Sequence, residues 1–170
     1  PVANTNGLLD VISEVENGPI RTGSNTLSIW GASTTYDASL EATRTSLTPR
    51  SKTIYTTATF GAGATGTISG AAADICPEIT ASTSIRFFLT WLDGSVYKTA
   101  WTNTASTLPR LWTSVNLPFV NGAALPTGSA LAGKTFLLEV ALWGGQGRSL
   151  AASYMDGVSL DNLILAGTCS

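Results

Sequence analysis

Residues 84–101 read SIRFFLTWLDGSVYKTAW and give the clearest indication of the fold. In residues 84–92 both alternating sets of side chains are largely apolar, which is typical of a central strand packed on both of its faces. The pair Asp93-Gly94 comes next, and Asp-Gly between two strand-like runs predicts a β-hairpin with a type I′ turn, because glycine adopts positive φ at little cost. The stretch therefore predicts two antiparallel strands, residues 84–92 and 95–101, within an all-β protein.

Strand-like runs rich in β-branched and aromatic residues recur along the rest of the chain, whereas helical periodicity is nearly absent. Residues 61–70 contain four glycines and are interpreted as a mobile loop or a bulged edge. We expect one domain, residues 1–170, with the fold of an all-β, two-sheet antiparallel jelly-roll sandwich. The remaining predicted strands are residues 26–30, 53–60, 111–117, 134–143 and 158–166.

The composition excludes several classes of function. Charged residues make up only 12% of the chain and the net charge is −2, so there is no basic stripe for a nucleic-acid backbone. Histidine is absent, which removes the commonest general base and metal ligand. No run of about 18 apolar residues is present, so we expect no membrane span. Two carboxylates suffice for sugar hydrolysis, so a glycoside hydrolase or polysaccharide lyase stays open, but no pair of acids stands out.

The two cysteines, Cys76 and Cys169, are expected to form a disulfide that closes a long loop. The alternative is a pair of buried free thiols. A disulfide would indicate an oxidising compartment, so we expect a secreted, extracellular protein. The first residues contain neither a methionine nor an apolar signal stretch, which suggests a mature form whose leader has been removed.

Both ends of the chain carry recognisable motifs. The early motif is Val15-Glu16-Asn17-Gly18, followed by Trp30, and the closing motif reads SLDNLIL over residues 159–165. These motifs resemble the ends of carbohydrate-binding modules of the CenC-like, galactose-binding-like jelly-roll group, although valine replaces the usual aromatic of the early motif. The resemblance implies a structural calcium ion shared by Glu16 and Asp161, and oxygen ligands suit calcium. Alternatively, Asp161 simply faces solvent.

Aromatic side chains are the natural candidates for sugar contact, because the CH face of a pyranose stacks on an aromatic ring while polar side chains bind its hydroxyls. The rings near the predicted hairpin form the candidate ligand site, with two charged neighbours. The alternative is that these rings belong to the core, which is where we place Trp112, Trp143 and Trp30. The candidate site residues are Trp91, Tyr97, Trp101, Asp93 and Arg86.

The sequence thus predicts a secreted, non-catalytic module that binds polysaccharide through exposed aromatic residues. A second hypothesis is a self-assembling subunit of an extracellular filament, surface coat or virion appendage, because low charge suits subunit packing. In that hypothesis residues 8–15 are exchanged as a strand with a neighbouring subunit. The simpler alternative for residues 8–15 is the first strand of the chain's own sandwich.

Overall fold

The computed structural model describes residues 27–31, 44–49, 53–77, 84–105, 111–143 and 156–170. These residues form eight β-strands and one short 3₁₀ turn, Gly128–Leu131. Within these ranges no helix has the length and apolar character needed to cross a bilayer. The strands are β1 (Leu27–Gly31), β2 (Thr53–Thr59), β3 (Gly66–Pro77), β4 (Ser84–Asp93), β5 (Val96–Thr102), β6 (Thr113–Gly122), β7 (Thr135–Trp143) and β8 (Asp156–Cys169).

The strand order is that of a jelly roll. All pairings are antiparallel, and the order β1-β8-β3-β6-β5-β4-β7-β2 divides into a first layer, β1-β8-β3-β6, and a second layer, β5-β4-β7-β2. The chain passes back and forth between the layers, pairing β1 with β8, β3 with β6, β4 with β5 and β2 with β7. Two interlocked Greek keys of this kind define the jelly roll, so the predicted fold class is confirmed.

Strand β6 joins the two layers. Its residues 113–118 pair with β3 in the first layer, and its last residues pair with β5 in the second. Within the half that pairs with β5 the register shifts, since Thr102 pairs with Phe119 while Trp101 pairs with Asn121. The residue left over, Val120, is a β-bulge, and bulges bend a strand in the way needed to turn from one sheet into the other.

The core lies between the layers and combines small residues with large ones. Strand β3 contributes Ala71 and Ala73, both buried, whereas β4 and β7 contribute the bulky rings of Phe87, Trp91 and Phe136. Trp91 and Phe136 are cross-strand partners with ring centroids 5.9 Å apart. Small side chains facing large ones fill the space between two sheets without strain.

Strand β3 is the element that the sequence analysis missed. Its sequence, GTISGAAADICP, is poor in the β-branched and aromatic residues by which strands are recognised. Small residues are required here, because a Cβ on Gly66 would lie 2.0 Å from the carbonyl oxygen of Thr168, and one on Gly70 would lie 2.4 Å from that of Leu117. Of the expected loop or bulged edge, residues 61–65 do form a turn, whereas residues 66–70 belong to a central strand whose register with β8 shifts between Ile68 and Gly70.

The hairpin between β4 and β5 is confirmed, but its turn type was predicted wrongly. Asp93 pairs with Val96, so the two central residues of the turn are Gly94 and Ser95. Gly94 has φ +64°, and Ser95 is not among the described non-glycine residues with positive φ. Positive φ at the first central position alone is the signature of a type II′ turn rather than type I′.

The predicted disulfide between Cys76 and Cys169 does not fit the register of β3 and β8. Cys169 pairs with Gly66 at one end of β3, and Cys76 pairs with Ser159 at the other end. Ten residues of extended strand separate the two positions, a distance of about 33 Å. A disulfide requires Cα atoms within about 7 Å, so this prediction was wrong, and Cys169 is a free, partly buried thiol.

Candidate functional site

The second layer has an outer face, which we define as the side of its sheet directed away from the core. Paired residues of adjacent strands share a face, so the strand registers place one row of side chains across the sheet. We call this the cross-strand row. It consists of Tyr55 (β2), Glu139 (β7), Phe88 (β4), Trp101 (β5) and Asn121 (β6).

The Trp101 ring lies against the backbone of Gly122, beside Asn121 in the cross-strand row. A Cβ on Gly122 would be 2.5 Å from Cζ3 and 2.7 Å from Cε3 of the Trp101 ring, so the indole occupies the space that any larger residue would need. Gly122 has φ +81°, a conformation that glycine adopts without steric cost. Trp101 is partly exposed, so the residue keeps some contact with solvent.

Uncharged polar groups surround the Trp101 ring. Asn121 donates a hydrogen bond from Nδ2 to Oδ1 of Asn103 at 3.1 Å, and both side chains reach solvent. On β5, Thr99 follows on the same face, with its Oγ1 3.2 Å from Oγ1 of Thr90. Two residues further along β5 is Tyr97, the cross-strand partner of Leu92 and also partly exposed. The outer face of β5 and the end of β6 therefore combine two aromatic rings with amides and hydroxyls.

The middle of the cross-strand row is closed to solvent. Glu139 is 0% exposed and Phe88 is equally buried. A guanidinium covers the carboxylate, since Nη1 of Arg44 donates to Oε1 of Glu139 at 2.9 Å. The same guanidinium donates from Nη2 to the carbonyl oxygen of Thr48. Arg44 thereby fixes residues 44–48 over β7, and we call this arrangement the Arg44 clasp.

The structure brings together only part of the predicted ligand site. Tyr97 and Trp101 share the outer face of β5, as a binding role requires. Trp91 is a correction, because its side chain is 1% exposed and packs in the core. Arg86 is partly buried on the outer face of β4, two residues from Phe88 and remote from the hairpin turn.

Asp93 belongs to the opposite side of the sheet from Tyr97 and Trp101. It alternates with Leu92, and its carboxylate forms an exposed ion pair with Lys98, with 2.7 Å between Oδ2 and Nζ. The hydrogen bond and the positive charge of Lys98, with a further contribution from the charge of Lys134, hold the pKa of Asp93 below its ordinary value. Asp93 therefore has an ion-pair partner and lies off the outer face that carries the rings.

Residues that the sequence analysis overlooked complete the site. Asn103, Asn121 and Thr99 carry no motif, and only strand register reveals that they adjoin Trp101. The pair Asn121-Gly122 was the one available signal, because a glycine beside a strand-like run often marks a bulge or a close approach of another group.

Trp112, which we expected in the core, is instead partly exposed just before β6. The side chains of Trp30 and Trp143 lie outside the described residues.

The predicted calcium ligand Asp161 lies in the first layer, beside a second acidic residue. Asp161 pairs in register with Asp74, whose two carboxylate oxygens accept hydrogen bonds from Ser114 Oγ at 2.7 Å and Asn162 Nδ2 at 2.8 Å. In the described part of the chain no three His, Cys, Asp or Glu side chains come together as a metal site would require. Glu16 and the side chain of Asp161 lie outside the described residues, so calcium stays a prediction.

Comparison with known proteins gives no family assignment. No family model matches the chain, and no curated protein matches it. Among solved structures, a carbohydrate-binding module described as specific for non-crystalline cellulose, CBM28, is similar with a TM-score of 0.44 and 11% identity over 90% of this chain and 79% of that chain. A structure of infectious bursal disease virus, Gx strain, is similar with a TM-score of 0.25 and 12% identity over 95% of this chain and 43% of that chain.

Proposed function

We propose that this protein is a non-catalytic module that binds an uncharged polysaccharide on the outer face of its second layer. The observation that carries the proposal is the Trp101 ring, held in close contact with Gly122 beside the hydrogen-bonded pair of Asn121 and Asn103. A flat, partly exposed indole offers a stacking surface for a sugar ring, and adjacent amides can bind its hydroxyls.

A second ring supports a ligand longer than one sugar unit. Tyr97 and Trp101 lie on the same face of β5, four residues apart, which corresponds to about 13 Å along an extended strand. This spacing exceeds the width of one pyranose ring, so the two aromatic side chains would contact different units of a glycan chain. The residue between them on this face, Thr99, adds a hydroxyl.

The side chains of this surface indicate the charge of the ligand. Tyr97, Thr99, Trp101 and Asn121 are all uncharged, and the nearby ion pair of Asp93 and Lys98 belongs to the other face of the hairpin. On this face the described residues of β5 and of the end of β6 include no cation that could offset the loss of hydration of a carboxylated or sulfated glycan, and Arg86 on the outer face of β4 is partly buried. A neutral polysaccharide therefore suits the site better than an acidic one.

The proposal includes a location outside the cell, where structural polysaccharides are found. The disulfide no longer supports this location, because the strand register separates the two cysteines. The alternative function, self-assembly by exchange of residues 8–15, concerns residues outside the described ranges and stays a prediction. Particle size in dilute buffer separates the two hypotheses, since an assembling subunit forms large particles without added sugar.

The proposal is tested by affinity electrophoresis in gels that contain soluble polysaccharides, together with pull-down on insoluble ones. Suitable probes are a β-glucan, a xylan, non-crystalline cellulose, chitin and, as an acidic control, a pectin. We expect retardation or depletion with at least one neutral polymer and none with the acidic control. Mobility that no polysaccharide changes would overturn the proposal.

A further inference from the structure

We propose that Arg44 is a positioning residue that closes one side of the ligand face and directs a bound glycan along strand β5 instead of across the sheet. This inference rests on the proposed function and adds the path of the ligand to it. It is drawn from the position of the Arg44 clasp within the cross-strand row.

One guanidinium fixes both parts of the clasp. Nη1 of Arg44 binds the Glu139 carboxylate in the sheet, and Nη2 binds the carbonyl oxygen of Thr48 in the covering segment. The side chains are 9% and 0% exposed, so the ion pair is shielded from water and is weakened little by salt. A planar guanidinium can donate in two directions at once, which a lysine ammonium cannot do in the same rigid geometry.

The clasp lies between two partly exposed aromatic side chains. Across the sheet the order is Tyr55, Glu139, Phe88, Trp101, with about 4.8 Å between neighbouring strands. Tyr55 and Trp101 are therefore about 14 Å apart, a separation similar to that of Tyr97 and Trp101 along β5. The face thus offers two aromatic pairs that a glycan chain could bridge, one across the strands and one along a strand.

The clasp obstructs only one of these two paths. A glycan that ran from Trp101 to Tyr55 would have to pass over Glu139, where Arg44 and its segment already lie, and over Phe88, which is fully buried. A glycan that ran from Trp101 to Tyr97 would pass over Thr99, which is partly exposed. The open path follows β5, so Tyr55 is left without a role in binding as long as the clasp is closed.

The test is a coupling experiment between Tyr55 and the clasp, with a neutral oligosaccharide series derived from the polymer that binds. In the otherwise unchanged protein, Tyr55→Ala is expected to alter affinity by less than about twofold, the usual scatter for a residue outside an interaction. Tyr97→Ala is expected to weaken binding by about tenfold or more, as truncation of an aromatic contact does. The clasp is then opened with the double substitution Arg44→Met and Glu139→Gln, which removes both charges of the ion pair.

In the opened protein, Tyr55→Ala is expected to weaken binding of the longest oligosaccharides, because they can now cross the sheet. Loss of affinity from Tyr55→Ala in the protein with an intact clasp would overturn the inference. It would also be overturned if Tyr55→Ala left the affinity unchanged both with the clasp intact and with the clasp opened. If the double variant does not fold, Arg44→Lys replaces it, since lysine keeps the charge beside Glu139 but not the second fixed bond. An unchanged affinity for Trp101→Ala would instead contradict the proposed function itself, so the two failures are distinguishable.

Discussion

At the scale of single residues, the candidate site depends most on the absence of a side chain at Gly122. The Trp101 ring fills the space where a Cβ would be, and the backbone carbonyl of Thr99 lies 2.5 Å from that same position. A backbone carbonyl cannot easily move aside. A residue larger than glycine at position 122 would therefore clash with both the Trp101 ring and the Thr99 carbonyl. The geometry of the aromatic surface is therefore set by one glycine.

We expect Gly122→Ala to destabilise the protein by about 1–3 kcal/mol and to weaken polysaccharide binding, because it adds a clash to the strain of positive φ. Gly128→Ala is the matched control. Gly128 also has positive φ, +61°, but nothing lies within 4 Å of its Cβ position, so it carries the backbone strain alone. Urea unfolding and binding isotherms of both variants provide the measurement. Equal effects on stability and unchanged binding in both would show that the Trp101 ring does not occupy this space.

The ion pair of Asp93 and Lys98 gives a prediction about pH. The pKa of Asp93 is lower in the folded protein than in the unfolded chain, where it is near 3.8. The ion pair therefore stabilises the fold above the unfolded pKa, and this stabilisation is lost as the pH falls through the lower folded pKa. We expect Lys98→Met to raise the pKa of Asp93, observed as a shifted midpoint in an NMR titration of its carboxyl carbon. Both side chains are exposed, so overall stability above pH 5 should hardly change. A midpoint that does not move would show that the pair is not formed in solution.

At the scale of structural elements, the Arg44 clasp joins a segment without regular structure to the sheet. Residues 44–49 contain neither helix nor strand. The shielded ion pair between Arg44 and Glu139, on the outer face of the second layer, fixes their position. Sequence could not reveal this pairing, because Arg44 and Glu139 are 95 residues apart and each resembles an ordinary solvated charge.

We expect Arg44→Met to destabilise the protein by about 3–5 kcal/mol, because it removes the Arg44 cation from the buried Glu139 carboxylate. The double variant Arg44→Met and Glu139→Gln should recover much of that loss, since the buried carboxylate charge is then removed together with its Arg44 partner. A double-mutant cycle measured by chemical denaturation gives the coupling energy directly. Additive effects of the two substitutions would mean that the side chains do not interact.

The strands themselves were largely predictable. Seven of the eight described strands coincide with runs of β-branched and aromatic residues, because such residues fit a pleated, packed surface. Strand β3 was missed since its place between β6 and β8 demands glycine and alanine, which local propensity assigns to loops. Trp91 was misassigned to the ligand site because both faces of β4 are apolar and its sequence alone does not show which face meets the core.

At the scale of the whole molecule, the jelly roll places Cys76 near one end of β3 and Cys169, which belongs to β8, beside the other end. We expect both thiols to react with an alkylating reagent in denaturant without prior reduction, and the intact mass to be unchanged by reduction. The melting temperature should be the same with and without a thiol reductant. Protection of both thiols, or a lower melting temperature on reduction, would require a register of β3 and β8 different from the one described.

In the proposed function, Trp101 is the principal contact with a neutral polysaccharide. The most direct measurement is a binding isotherm for Trp101→Ala beside the unaltered protein and Trp112→Ala, a partly exposed tryptophan at the far end of β6. We expect Trp101→Ala to lose affinity by at least about tenfold, or 1.4 kcal/mol, with its unfolding transition retained and with Trp112→Ala unaffected. Equal affinities for the unaltered protein and the folded Trp101→Ala variant would contradict the account.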